Sequence, residues 1–417
     1  MNLISIIALI ICALVLLSSF RPNIDVFSPG RIFTFIWSLA IGLTNLKFSG
    51  FQQEWSTEIW IQVLIGPLSF LIGVLLVYSI NLDKEIYSIK ALRTEKKLYH
   101  IDKNKLYLAV IILFLLFLFA YIVIYIKAGG VTLFSANPGK TRREFTMFGI
   151  GLFLHNVLLV VFFSTVYYLI EKKNKTRRRT LFFLSLSSLI LYGITLQRYQ
   201  IFITLFLVIV LLYYHTFKVK FRFVLIFSLL VVVFFFIVSS FRAGEVLFYV
   251  LYRWSKMKYS PEYAIFTEPY MYVVMNLENY ARSINKNEFF TFGYYTFDFI
   301  TALGGIKHWI SDYFNLIETP YLVSIYNTYS AFWNFYRDFG LVGIFFIPFL
   351  GGVTFSSLYY SFRKQPTILK LGIYSMFLFA VIFSFFNSIV GFLWFVYNLF
   401  VLVLVFSFIN KTKNNVD

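Results

Sequence analysis

The chain has 417 residues, of which 59% are hydrophobic and 13% charged, and its formal net charge is +18. Soluble domains average about 45–50% apolar and about 25% charged residues. This composition excludes a water-soluble enzyme or binding domain and predicts an integral membrane protein. The single cysteine, Cys12, also excludes a disulfide framework and a thiolate metal site.

Eleven apolar stretches are long enough to cross a bilayer as helices, which takes roughly 20 residues each. They are too continuously apolar for the alternating strands of a membrane barrel. The predicted fold is therefore an all-α, polytopic membrane helical bundle. The predicted spans are 2–20, 31–48, 59–80, 106–126, 147–170, 180–196, 199–216, 223–240, 338–361, 367–387 and 389–409.

Basic residues are unevenly distributed over the segments that connect these spans. One side receives 23 basic and 7 acidic residues and the other 14 and 12, which gives net charges of +16 and +2. Cytoplasmic loops carry the excess of Lys and Arg, so the N-terminus is predicted outside and the C-terminus inside. Attraction to anionic lipid explains the basic loops, and no nucleic acid is expected as a partner.

The longest connection, residues 241–337, lies on the predicted outer side. Connections of this length are functional or disordered, and this one is rich in aromatic residues rather than in polar low-complexity sequence. The stretches 245–257 and 270–284 have the mixed apolar and polar character of interfacial helices. The chain is thus divided into helices 1–8 (1–240), a large extracytoplasmic loop (241–337), and helices 9–11 with a cytoplasmic tail (338–417).

Four arginine-bearing sites lie at the predicted outer face, where the positive-inside bias disfavours them. Guanidinium matches a phosphate in bidentate geometry, so Arg198 and Arg242 favour an anionic ligand. Snorkelling to outer headgroups is the alternative for any single arginine, and Arg337 with Asp338 has the alternative of a structural ion pair. The sites are "GKTRREF" (139–145), "LQRYQ" (196–200), "FRAGE" (241–245) and "FYRDFG" (335–340).

Motifs for other chemistries are missing from the sequence. It contains neither a Walker A loop nor a Rossmann glycine fingerprint. The four histidines fall in unrelated segments without metal-ligand spacing. No cofactor and no metal are therefore expected.

The stretch "ETPYLVSIYNTYSAFWNFYRDFGLVGIFFIPFLGG" (318–352) resembles the signature of the bacterial oligosaccharide repeat-unit polymerases of the Wzy type, which assemble O-antigen and capsular polysaccharide. Two further regions are similar to that family: 195–214, an arginine followed by a long apolar helix, and 129–145. Gln197 and Tyr199 replace glycines that often flank the arginine in the family. The matching positions in 318–352 are Asn327, Thr328, Asp338, Phe339, Gly340 and Gly343.

The resemblance implies a GT-C-like membrane glycosyltransferase of the bacterial cytoplasmic (inner) membrane, active on its extracytoplasmic face. It would join oligosaccharide repeat units linked to undecaprenyl pyrophosphate, which serve as donor and acceptor. The lipid bilayer and a chain-length regulator protein are the other expected partners.

The same resemblance implies two catalytic residues, Arg198 at the leaving diphosphate and Asp338 as the base. Glu245 and His308 are rivals for the base, and Asp338 has the alternative role of orienting Arg337. The expected substrate-binding residues are Arg142, Arg143, Arg242, Arg337, Asn327 and Tyr336.

Two other classes of membrane protein remain possible from the sequence, a ligase and a flippase. A ligase that transfers finished polysaccharide to a lipid core or protein has a similar architecture. A flippase for lipid-linked oligosaccharides is also basic, polytopic and aromatic-rich, but it is expected to carry mid-membrane charges and short loops on both sides. This sequence instead gathers its polar residues at the outer ends and in 241–337.

The charge distribution yields a direct test of topology. Reporter fusions after residues 175 and 415 should read cytoplasmic, and a fusion near residue 285 should read external, because net charges of +16 and +2 set the orientation. A cytoplasmic reading at 285 would overturn the proposed active face.

Overall fold

The computed structural model describes residues 3–21, 24–94, 101–216, 219–226, 229–230, 233, 247–284, 289–313, 326 and 328–410. In this part of the chain the regular structure is helical, and two isolated bridges join Ser49 to Met257 and Ile101 to Asn410. The α-helices are α1 (Leu3–Ser18), α2 (Pro29–Thr44), α3 (Thr57–Ile80), α4 (Ile89–Thr94), α5 (Lys103–Ala128), α6 (Pro138–Glu144), α7 (Val157–Ile170), α8 (Lys175–Gly193), α9 (Arg198–His215), α10 (Leu247–Trp254), α11 (Thr267–Ser283), α12 (Asp298–Leu303), α13 (Lys307–Tyr313), α14 (Ala331–Lys364), α15 (Ile368–Ile382) and α16 (Leu393–Ile409).

Six helical segments of the described chain are long and apolar enough to cross a membrane. They are Thr57–Ile80, Lys103–Phe134, Ile150–Ile170, Arg198–His215, Ala331–Lys364 and Ile368–Phe385. The helices α1 and α16 are also apolar but have only 16 and 17 residues. The chain therefore has the apolar helices of a multi-pass membrane protein.

Most of the predicted spans overlap one of these helices. The eighth, 223–240, lies largely outside the described residues. The total of eleven crossings and the GT-C-like arrangement remain predictions. Both helices expected in the long external segment are present, as α10 and α11.

The chain forms two compact units. The first unit comprises residues 1–88, 245–364 and 377–395, and the second comprises 89–244, 365–376 and 396–417. The predicted boundaries at 240 and 337 concern the two sides of the membrane and remain predictions.

Glycines allow α3 and α14 to pack closely in the first unit. A Cβ atom at Gly73 would lie 2.2 Å from the carbonyl oxygen of Phe349, and one at Gly352 would lie 2.1 Å from that of Phe70. A larger residue would have to push the two backbones apart. The Phe70 ring also stacks on Phe33 of α2 at a centroid distance of 3.9 Å. This contact joins α2 to the pair formed by α3 and α14.

The helix α14 is interrupted near its start. Gly340 has φ 61° and ψ −143°, a conformation that L-residues with a side chain rarely adopt. A Cβ there would also lie 2.8 Å from the Phe290 ring, and one at Gly343 would lie 2.2 Å from the carbonyl oxygen of Phe335. The two glycines thus let the first turns of α14 bend against the rest of the helix, at the end of the "FYRDFG" stretch.

The second unit is built around α7. Residues Val157 to Phe163 of this helix are all buried, and a helix that is apolar on all sides belongs in an interior. Phe117, Ile124 and Tyr192, from α5 and α8, share one apolar cluster with the start of α7.

Adjacent glycines in α14 provide a matched test of this packing. Gly352→Ala should destabilise the protein by about 1–3 kcal/mol, because its Cβ would meet the Phe70 backbone. Gly351→Ala should be neutral or slightly stabilising, since its nearest atom, in the Phe70 ring, is 3.7 Å away. Thermal unfolding of both variants in detergent measures the difference, and equal unfolding temperatures would contradict the close packing.

Candidate functional site

The carboxylate of Asp338 binds a turn formed by residues 291–296, in the segment before α12. The Thr291 hydroxyl and the Tyr295 backbone N–H donate to Oδ1, the latter at 3.2 Å, and the Thr296 N–H donates to Oδ2 at 2.6 Å. Asp338 is fully buried, and a buried carboxylate requires such donors. In this arrangement its oxygens hold the 291–296 turn against the start of α14.

The backbone carbonyls of Arg337 and Asp338 also bind the 291–296 turn. The N–H of Thr291 donates to the carbonyl of Arg337 at 3.3 Å, and that of Phe292 donates to the carbonyl of Asp338 at 3.2 Å. Two residues of the turn have a positive φ, Phe292 with 47° and Gly293 with 101°. The start of α14 and the 291–296 turn therefore form one bonded junction.

Arg337 lies buried beside this turn, and its guanidinium is bound without a carboxylate. Its Nη1 donates to the carbonyl of Phe289 at 2.5 Å, and its carbon lies 4.8 Å from the centre of the Phe289 ring. Its Nε has no hydrogen-bond partner. No ion pair joins Arg337 to Asp338 or to another acid in the described chain, so the geometry does not show the structural ion pair considered from sequence.

Tyrosines on either side of Arg337 are neutral partners. Burial raises the pKa of Tyr295 to about 12, although the nearby Arg337 charge acts to lower it, so its phenol keeps its proton at neutral pH. The hydroxyl of Tyr336 donates to the carbonyl of Ile284 at 2.6 Å. Neither group neutralises the guanidinium.

A second polar cluster in the first unit ties α11 to the segment before α3. Glu278 is buried and accepts hydrogen bonds from the Gln53 N–H, the Trp55 indole and Arg282, at 3.1, 3.0 and 3.1 Å. Burial raises the pKa of Glu278, and Arg282 opposes that shift. Sequence reasoning missed this cluster, because the mixed apolar and polar pattern of 270–284 does not show whether a polar residue faces water or a polar interior.

The second unit brings two of the predicted arginine sites next to each other. The side chain of Gln197 donates to the carbonyl of Phe145 at 3.1 Å, and Tyr192 donates to Gln197 at 3.0 Å. Arg198 follows Gln197 as the first residue of α9, while Arg142 and Arg143 lie in α6 just before Phe145. Leu196, which precedes Gln197, adopts the left-handed conformation with φ 56°.

Some predicted residues lie outside the described part of the chain. These are Arg242, Asn327 and the rival base Glu245, whereas the other rival, His308, is placed only as a backbone position in α13. Where described, Arg337, Asp338 and Tyr336 belong to the first unit and Arg142, Arg143 and Arg198 to the second. Within the described chain, no three His, Cys, Asp or Glu side chains are grouped as metal ligands.

The chain was compared with protein families, with curated proteins and with solved structures. No family model, curated protein or solved structure matches the chain.

The bonds to Asp338 predict how the turn responds to mutation. In Asp338→Asn one carboxylate oxygen becomes an NH₂ group, which cannot accept from a backbone N–H. Either the Tyr295 or the Thr296 amide then loses its acceptor and should exchange with deuterium about tenfold faster, measured by mass spectrometry of peptides covering 289–300.

The matched control for this experiment is Asp298→Asn. Asp298 belongs to the same segment but pairs with Lys307 at 2.6 Å instead of binding the turn, so its loss should leave the two amides unchanged. Unchanged exchange in Asp338→Asn would contradict the assigned role of the carboxylate.

Proposed function

We propose that this protein is a membrane glycosyltransferase that joins oligosaccharide repeat units carried on undecaprenyl pyrophosphate at the outer face of the bacterial cytoplasmic membrane. The product would be an O-antigen, capsule or exopolysaccharide chain. The proposal combines the resemblance of 318–352 to the repeat-unit polymerases with the geometry of that same stretch.

The observation that carries the proposal is the buried charge of Arg337, which forms no ion pair with any described residue. Two other arginines with little exposure in the first unit have carboxylate partners: Arg363 pairs with Asp25 at 2.8 Å and Arg282 with Glu278 at 3.1 Å. Arg337 is 8% exposed, and among the described residues its guanidinium is surrounded by a carbonyl, by aromatic groups and by the hydrogen-bonding side chain of Tyr295, while its Nε has no partner. A buried charge is costly without a counter-ion, so this position favours an anionic ligand.

The diphosphate of a lipid-linked sugar suits this position by charge and by depth. Arg337 belongs to Ala331–Lys364, a helix able to cross the membrane, and lies close to its beginning. A lipid-borne diphosphate is held at the membrane surface, and a guanidinium binds phosphate oxygens through two parallel N–H donors.

In the proposed glycosyl transfer, one bond forms and one bond breaks at the anomeric carbon. The acceptor hydroxyl oxygen forms a bond to the anomeric carbon of the donor sugar, and the bond from that carbon to the diphosphate oxygen breaks. The hydroxyl proton passes to a base, and undecaprenyl pyrophosphate leaves with the bonding electron pair. Arg337 would stabilise the charge that develops on the leaving diphosphate.

Asp338 is assigned two roles in this proposal. Its hydrogen bonds to the 291–296 turn hold the external segment against α14, which positions the neighbouring Arg337. As the proposed base, it would have to release at least one of those bonds to accept the proton, so substrate binding would be coupled to movement of the turn.

The remaining predicted residues keep the roles predicted from the sequence. Within the second unit, Arg198 is proposed to bind a diphosphate together with Arg142 and Arg143 of the adjoining α6. Arg242 and Asn327 keep the substrate-binding roles that the resemblance implies. Snorkelling to headgroups is the competing role for each exposed arginine.

Substitution of Arg337 tests the proposal. Purified protein is given a lipid-linked repeat unit without nucleotide sugar and with excess chelator, and polymer is followed by gel electrophoresis. Wild type should form polymer. Arg337→Lys should lose at least about tenfold in rate and Arg337→Gln about a hundredfold, because a point charge does not replace the planar fork and a neutral amide does not replace the charge.

Arg253→Gln is the control for general charge loss, since Arg253 lies exposed in α10 of the same external segment. It should keep wild-type activity, whereas Arg198→Lys should lose much of it. Wild-type amounts of polymer from Arg337→Gln, at normal protein levels, would contradict the proposed role of Arg337. Strict dependence of the wild type on a nucleotide sugar would defeat the glycosyltransferase proposal itself.

A further inference from the structure

A cleft of about 770 Å³ lies between the end of α1 and the first turn of α2, away from the proposed active site. Its lining combines two arginines, Arg21 and Arg31, with the hydroxyls of Ser18 and Ser28 and with leucines of α1. The proposed function uses none of these residues.

Arg31 is held in place by the last turn of α1. Its Nη1 donates to the carbonyl of Val15 at 3.2 Å and to the hydroxyls of Ser18 and Ser19 at 2.5 and 3.3 Å. A cation is favourable at a helix C-terminus, which explains the orientation. The other nitrogens of its guanidinium have no hydrogen-bond partner among the described residues.

The positive charge of the cleft is not compensated by the nearby acid. Arg21 is exposed, and its guanidinium makes no hydrogen bond or ion pair within the described chain. Asp25 lies between the two arginines in sequence but pairs with Arg363 at 2.8 Å and accepts from the Tyr359 hydroxyl at 2.9 Å. Among the described residues, the lining of the cleft therefore contains two guanidinium groups and no acidic side chain.

The wall beside these charges is apolar and uncovered. Leu14 and Leu17 are 60% and 64% exposed, and Ile7 and Ile10 continue the same helical stripe along α1. In a protein with membrane-crossing helices, such a stripe faces acyl chains. A cationic pocket at the end of a lipid-facing stripe has the two-part chemistry of an anionic lipid: a phosphate head and apolar tails.

We propose that this cleft binds the phosphate group of an anionic membrane phospholipid, with Arg21 and Arg31 as its donors and the acyl chains along Leu14 and Leu17. The hydroxyl of Ser28 borders the same space and supplies an additional donor, whereas that of Ser18 donates to the Val15 carbonyl at 2.8 Å. The site is independent of the proposed glycosyl transfer.

Native mass spectrometry of the full chain tests this site by counting bound lipids. Phosphatidylglycerol should bind with one saturable site that phosphatidylcholine fails to fill. Arg21→Gln should weaken that binding about fivefold and Arg21→Gln/Arg31→Gln further. If the loss of Arg31 unfolds the end of α1, the single variant Arg21→Gln is sufficient for the test. The Arg21 side chain bonds to no other group among the described residues, so its loss should not disturb the fold.

Lys84→Gln/Lys90→Gln is the matched control, because it removes two exposed charges on the same predicted side of the membrane. It should keep the tight site. Inorganic phosphate and glycerol 3-phosphate serve as competitors and should displace the lipid only weakly, because they lack the apolar contact. Equal affinity for either competitor would overturn the lipid assignment, and wild-type binding by Arg21→Gln would overturn the site.

Discussion

The hydrogen bonds between the Asp338 carboxylate and the 291–296 turn are the constraint on which the rest of the proposed site depends. They fasten the segment before α12 to α14 close to Gly340, where that helix bends. Because Arg337 precedes Asp338 and bonds to Phe289, just before the turn, the same junction fixes a guanidinium in a buried position. A fixed cation needs no reorganisation when negative charge develops beside it.

Arg282, Arg337 and Arg363 of the first unit have little exposure but differ in their partners. This difference is the basis for proposing an anion site at Arg337. Arg363 and Arg282 each pair with a carboxylate, and their other donors bind carbonyls, so they act as structural links. Arg337 is bound by a carbonyl and by aromatic faces, which orient the guanidinium without neutralising it. The pattern is typical of a residue held ready for an external anion.

Hydropathy and local patterns predicted much of the fold, including the apolar helices and both helices in the connection 241–337. Gly340 and Gly343 of "RDFGLVG" could be singled out as well, because φ above zero and close approach are properties that a single residue type signals. The partners of Asp338 could not, since they lie 42 to 47 residues earlier in the chain and no local period encodes such contacts. The buried face of α11, with Glu278, was missed because helical spacing alone does not tell water from a polar interior.

The most direct measurement is a cryo-electron microscopy structure of the protein in a lipid nanodisc with bound undecaprenyl pyrophosphate. The account predicts a phosphate oxygen about 3 Å from Nε or a terminal nitrogen of Arg337, with the 291–296 turn in contact with the ligand. A diphosphate bound elsewhere on the protein, with the Arg337 guanidinium still bonded only to Phe289 and its aromatic neighbours, would contradict it.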